Sequence, residues 1–124
     1  MNGIEIKPLP PQEIAKRLER DLPGWHLVDG ELRRHFATHG WKGSLMVANV
    51  IVHLAEVAWH HPDLVVSYGG VEVRLSTHSP KGITDRDFAL ARQIDAVVLW
   101  QPAHEGILEG TPADPGVAYL KDNA

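Results

Sequence analysis

The chain has no cysteine. No disulfide, thiolate nucleophile or thiolate-held metal can form within it, and the lack fits a reducing compartment. No basic segment followed by an apolar run occupies residues 1–11, so no secretory signal is expected. No apolar run is long enough to suggest a membrane span. Residues 43–59 come nearest, but they are short and Asn49, His53 and Glu56 interrupt them. Positive charge is not in excess either: the formal net charge is -4, so neither nucleic acid nor a membrane surface is an expected partner. A cytoplasmic location is the corresponding expectation. No phosphate-binding glycine loop and no H-E-x-x-H metal signature occur. At 124 residues the chain is one domain by length, large enough to bury a core without covalent staples.

What is abundant is histidine, 8 in all, the side chain whose ordinary ionisation lies nearest neutrality. The pattern around the histidines predicts an order of α-β-β-α-β-β-α. Ile14, Leu18 and Leu22 recur at helical spacing over residues 12–22, and Pro23-Gly24 ends that helix. Residues 25–28 and 31–36 read as strands about Asp29-Gly30, a dipeptide suited to a two-residue turn with both φ angles positive. Residues 42–60 are apolar on most sides and contain β-branched residues, yet their length argues helix. Asn49, His53, Glu56 and His60 fall on one stripe of a 3.6-residue period. Pro62 is expected to stop this helix at His61, because the residue before proline avoids the α region.

Residues 64–68 and 71–76 then read as a second hairpin about Gly69-Gly70, with Val71, Val73 and Leu75 on one face. Residues 79–82 read as a loop. Thr84-Asp85-Arg86-Asp87 fits a capping box opening a last helix, with Phe88, Ala91, Ile94, Val97 and Val98 toward the core. Two hairpins joined by helices give an antiparallel sheet covered by helices, an α+β fold. After Gln101, prolines and glycines break any long element. Residues 101–124 are expected to form a Pro/Gly-rich tail, lying over the surface or on a partner protein, after a domain at residues 1–100.

Three readings compete for the polar stripe and the adjacent pair His60-His61. One is a solvated face, although no Lys or Arg lies between Lys42 and Arg74. The second is a metal clamp: His53, Glu56 and His60 stand one helical turn apart and carry suitable ligands. Against it, adjacent helical histidines diverge by about 100°. The third is acid/base chemistry, with imidazoles and carboxylates sharing a cleft and Glu56 fixing the tautomer of His60. Asp87 is explained by capping alone, and by holding Arg86 or a histidine as well. His26, His35, His39 and His104 have no motif around them and read as surface residues. Trp25, Trp41 and Trp100 read as packing groups, and Trp59, beside the histidine pair, as either a packing group or a ligand platform.

The run Glu56-x3-His60-His61-Pro62-x5-Tyr68-x9-His78-x8-Asp87 resembles the signature of the pterin-4a-carbinolamine dehydratases. "LSTHSPKGITDRDFALARQID" and "GWHLVDGELRRHF" resemble the same family's final strand, loop and helix and its first hairpin. The resemblance covers about residues 10 to 98. It implies a four-stranded antiparallel sheet with helices packed on one face. It implies dehydration of a 4a-hydroxytetrahydropterin to the quinonoid dihydropterin in tetrahydropterin recycling, with no metal or organic cofactor. On this resemblance His60, His61 and His78 are the catalytic candidates. Glu56, Pro62, Arg86 and Asp87 are the binding or orienting ones. Apart from the resemblance, the helix from Leu45 to Trp59 carries more apolar surface than one small sheet needs, so a homodimer or homotetramer is expected, and the tail is a place for a further protein partner. The alternative is a non-enzymatic binding protein, a dimerisation cofactor in transcription or a RuBisCO assembly chaperone, as some relatives of these dehydratases are. The complete motif favours the enzyme.

Overall fold

The computed structural model describes residues 5–103, 106–112, 114 and 116–121. Three helices and a four-stranded antiparallel sheet follow in the expected order. The elements are α1 (Pro11–Asp21), β1 (His26–Val28), β2 (Glu31–Ala37), α2 (Trp41–Ala58), β3 (Asp63–Ser67), β4 (Gly70–Leu75) and α3 (Asp85–Val98). The residues expected to form a plain loop instead make a two-stranded ribbon, β5 (Thr77–His78) with β6 (Lys81–Gly82).

The main sheet has the order β1-β2-β4-β3, so the two hairpins lie side by side and β2 meets β4 at the centre. Strand alternation decides which face is buried. Leu32 and Phe36 of β2 and Val71, Val73 and Leu75 of β4 point into the core and are fully buried. Against them pack Ile14 of α1, Val47, Ala48 and Ile51 of α2, and Phe88, Leu90, Ala91 and Ile94 of α3. Each such side chain contributes roughly 1.5–3 kcal/mol by leaving water. On α3, Leu90 takes the inward position expected of Val97, which is exposed.

One inward position is charged. Arg34 is buried on β2, its Nη1 3.4 Å from Asp95 Oδ2, and Trp25 Nε1 donates to Asp95 Oδ1 at 3.0 Å. Burial pushes the Asp95 carboxyl upward, against the lowering effect of those two partners. Trp25 is therefore a packing group as expected. Trp41 and Trp100 are not: they are 50% and 61% exposed.

The turns divide the glycines. Asp29 and Gly30 adopt φ of 50° and 78°, the paired positive values that suit a tight hairpin. In the second hairpin Ser67 pairs with Gly70, which puts Tyr68-Gly69 at the turn rather than Gly69-Gly70. Gly70 is a strand residue. A Cβ there would stand 2.7 Å from the Phe36 carbonyl oxygen, a backbone atom that cannot move aside as the exposed His35 ring can, so the position requires glycine.

Helix α2 ends differently from the expectation. Trp59 takes the left-handed conformation, φ 53° and ψ 47°; its N–H donates to Glu56 O, and the His60 N–H donates to Ala55 O. This is a Schellman ending, and it places His60 and His61 outside the helix. Pro62 therefore does not stop the helix at His61; the chain has already turned at Trp59. A bulky residue in this region costs about 1–2 kcal/mol, which glycine or asparagine largely avoids. Trp59→Asn is expected to raise stability by about 1 kcal/mol in urea unfolding, because the 76% exposed indole buries little that would be lost.

The segment after α3 folds back on its own chain. His39 N–H donates to Tyr119 O at 2.8 Å and Lys121 N–H to Ala37 O at 3.0 Å, bridging the end of β2 near the start of α2. Leu120 packs against the core there. Tyr119 lies so close to Gly43 that a Cβ on that glycine would come within 2.9 Å of it.

Candidate active site

Four elements bring the candidate residues together. The last turn of α2 supplies Glu56. The extended stretch before β3 supplies His60 and His61. Ribbon β5 supplies His78, and the first turn of α3 supplies Arg86 and Asp87. His60, His61, His78 and Arg86 line one cleft of about 290 Å³, with Trp59, Ser76, Thr77 and Ser79 completing its walls.

Asp87 lies behind the cleft with 0% exposure. Its Oδ1 accepts from His60 Nε2 at 2.7 Å, and its Oδ2 accepts from Thr77 Oγ1 at 2.7 Å and from the Thr84 N–H at 2.9 Å. The bond from Thr84 N–H completes the expected capping box, in which Thr84 Oγ1 accepts from the Arg86 N–H. Since the Thr77 hydroxyl hydrogen goes to Asp87, the 2.8 Å contact between the two threonines is donated by Thr84. Every donor in this chain has one acceptor, as buried polar groups require. A capping carboxylate thus also fixes the ring of His60, and both readings of Asp87 hold together.

His61 is held separately. Its Nε2 lies 2.7 Å from Glu56 Oε1, and Trp59 meets its ring edge-on at 5.0 Å between centroids. Glu56 therefore partners His61, not His60 as expected. The early end of the helix explains the exchange: with His60 beyond the left-handed turn, its ring reaches α3 instead of lying one turn above Glu56. Because the His61–Glu56 pair is exposed it adds little stability, but it orients the imidazole.

The other sequence candidates fall as follows. Pro62 lies between the pair and β3 and lines no part of the cleft. Asn49 and His53 are exposed on α2, so the polar stripe does not face the cleft as a unit; of its members only His60 lines the cleft, and Glu56 touches it through His61. Among the described residues, no group of three or more histidine and carboxylate side chains is arranged to hold a metal ion. His26, His35 and His39 are exposed, while His104 lies outside the described residues. Sequence reading missed Thr77, whose signal was its place in the inward alternation after Val73 and Leu75. It placed Trp59 beside the pair but not the left-handed turn there, which a tryptophan does not announce.

A second, larger cavity of about 530 Å³ adjoins the first. It runs between the end of α2 and the middle of α3 and shares Trp59, His60 and Arg86 with the histidine cleft.

With this geometry, the relatives can be placed. The family model for pterin 4 alpha carbinolamine dehydratase matches residues 7–97. A protein of Aquifex aeolicus named "Putative pterin-4-alpha-carbinolamine dehydratase" is 43% identical over 93 residues, which is 75% of this chain and 93% of that one. A protein of the same name from Thermosynechococcus vestitus is 42% identical over 91 residues, 73% of this chain and 95% of its own. A crystal structure of a transcriptional coactivator/pterin dehydratase from Brucella melitensis superposes with a TM-score of 0.67 at 29% identity, covering 73% of this chain and 97% of that one. Residues after 97 lie outside the family match. The chain belongs to the pterin 4 alpha carbinolamine dehydratase family.

Proposed function

We propose that the protein is a 4a-hydroxytetrahydropterin dehydratase that works by histidine acid/base catalysis. The observation that carries this reading is the single cleft lined by His60, His61 and His78, two of them held through Nε2 by separate carboxylates. Dehydration breaks the C4a–O bond. The departing hydroxide leaves as water once it receives a proton, and a proton must leave the pterin ring as the new double bond forms. One acid and one base are needed within hydrogen-bond reach of the substrate.

Donation of Nε2–H to a carboxylate leaves Nδ1 of His60 and of His61 as the nitrogen available to substrate. His60, fixed by buried Asp87, serves as the rigid group that binds and polarises the pterin. His61 and His78, both exposed at the cleft, exchange protons at the 4a-hydroxyl side. Arg86, on the rim, orients the bound ring. No cofactor enters this scheme, and no atom is gained or lost besides water.

The test is stopped-flow decay of a 4a-hydroxytetrahydropterin with and without protein. Acceleration that varies between about pH 5 and 8, after subtraction of the uncatalysed rate, is the expected result. A folded sample that leaves the decay unchanged removes the reading, and the transcriptional description of the Brucella melitensis relative would then supply the next hypothesis.

We propose further that α2 pairs with its counterpart in a homo-oligomer. Leu45 and Val52 on one side of the polar positions Asn49, His53 and Glu56, and Met46 and Val57 on the other, are exposed along this helix, apolar surface that water does not favour. Val52→Arg is expected to lower the mass measured by light scattering to that of one chain. A wild type already monomeric at micromolar concentration would contradict the pairing.

A further inference from the structure

We propose that Trp59 is the stacking platform of the histidine cleft: its open indole face receives the flat pyrimidine half of the pterin and holds C4a beside His61. This rests on the dehydratase reading and adds a binding residue that the proton-transfer scheme does not use. A pterin carries its donors and acceptors around its edge, and its two faces are apolar. The serines, threonine, arginine and histidines that line the cleft can meet that edge. Trp59 alone among the lining residues presents a broad apolar face.

Three observations on Trp59 converge. Its ring is 76% exposed, so it contributes little to packing. Its backbone has φ 53°, and the other non-glycine residue with positive φ among the described residues is Asp29, in a hairpin turn that aspartate tolerates. A tryptophan held in this conformation, with its ring left in water, is strain without a structural return, and strain of this kind collects at ligand sites. The third observation is the contact with His61. The two rings stand at 82° with centroids 5.0 Å apart. A perpendicular contact leaves an indole face open, as the exposure requires. A pterin stacked on that face is therefore held in a fixed relation to the His61 imidazole. The chemistry adds a further gain. The substrate is tetrahedral at C4a and the product is trigonal there. Loss of water flattens the ring, so contact with the indole grows as the C4a–O bond breaks, and the platform favours the transition state over the substrate.

The experiment compares wild type with Trp59→Phe, Trp59→Leu and Trp59→Asn. Isothermal titration calorimetry measures affinity for 6-methyl-7,8-dihydropterin, which has no 4a-hydroxyl to lose. Stopped flow measures kcat/KM for a 4a-hydroxytetrahydropterin. Stacking of a flat heterocycle on an aromatic side chain is worth about tenfold in affinity. Trp59→Leu keeps an apolar side chain and loses the aromatic face. It is expected to bind the dihydropterin about tenfold more weakly and to lose at least as much kcat/KM. Trp59→Phe should stay within about threefold of wild type in both. Trp59→Asn should lose as much as Trp59→Leu while unfolding at higher urea than wild type, which separates loss of ligand from loss of fold. Unchanged dihydropterin affinity in Trp59→Leu overturns the platform even where the rate falls, because a role confined to orienting His61 moves rate and not affinity. The dehydratase reading survives that result. A wild type that neither binds the dihydropterin nor accelerates the decay overturns both.

Discussion

Replacing His61 by alanine is expected to lower kcat/KM for dehydration by about 10²–10⁴, the range that positioned proton transfer supplies. The same change should move the unfolding midpoint by no more than about 0.5 kcal/mol, because an exposed His–Glu pair contributes little to stability. Large loss of rate without loss of fold is the signature of a group that meets the substrate. Glu56→Gln separates orientation from proton transfer. Its amide oxygen can still accept from His61 Nε2, so most of the rate should survive. Stopped-flow kinetics on the three proteins decide this. If His61→Ala retains more than about a tenth of wild-type kcat/KM, His61 is not the acid or base.

The second large effect concerns Asp87, and it should appear in stability first. Asp87→Ala leaves the Thr77 hydroxyl, the Thr84 N–H and His60 Nε2 without their acceptor. Each buried polar group left unpaired costs about 1–3 kcal/mol, and relaxation of the capping turn recovers part of the sum. A net loss of about 4 kcal/mol is expected, a large fraction of the 5–15 kcal/mol typical of a domain. Urea unfolding measures it directly. Dehydration should fall too, since the His60 ring loses its anchor. Thr77→Val tests the network without removing the charge: it should destabilise by about 1–2 kcal/mol while the bond from His60 to Asp87 remains. A midpoint for Asp87→Ala within 1 kcal/mol of wild type would show that the carboxylate does not organise this corner.

The fold was legible wherever local periodicity and global packing agree. Alternation in Val71, Val73 and Leu75 assigned the buried face of β4, and Thr84 with Asp87 marked the start of α3 because capping is a contact within one turn. The approximate spans of all three helices and four main strands followed from such patterns. The candidate site residues were also readable, as one specific set of spacings from Glu56 to Asp87. Their pairing was not. Whether Glu56 meets His60 or His61 depends on where α2 ends, and that depends on a single left-handed residue. Pro62 offered a plausible stop signal three positions after the chain had already turned at Trp59. The two-stranded ribbon at Thr77–His78 and Lys81–Gly82 was likewise hidden, since two residues are too few to show a period. The exposure of Trp41 depends on what lies across the fold, which no local pattern carries.

The strap formed by Tyr119, Leu120 and Lys121 sits at the start of α2, whereas the histidines sit at its end. An 18-residue helix separates the two by about 27 Å. This spacing makes the protein a natural two-port device. A tag, a surface linkage or a fused module attached through the tail would load the entry of the helix and leave the histidine cleft open at its exit. Mechanical and chemical duties can therefore be engineered, or selected, one at a time.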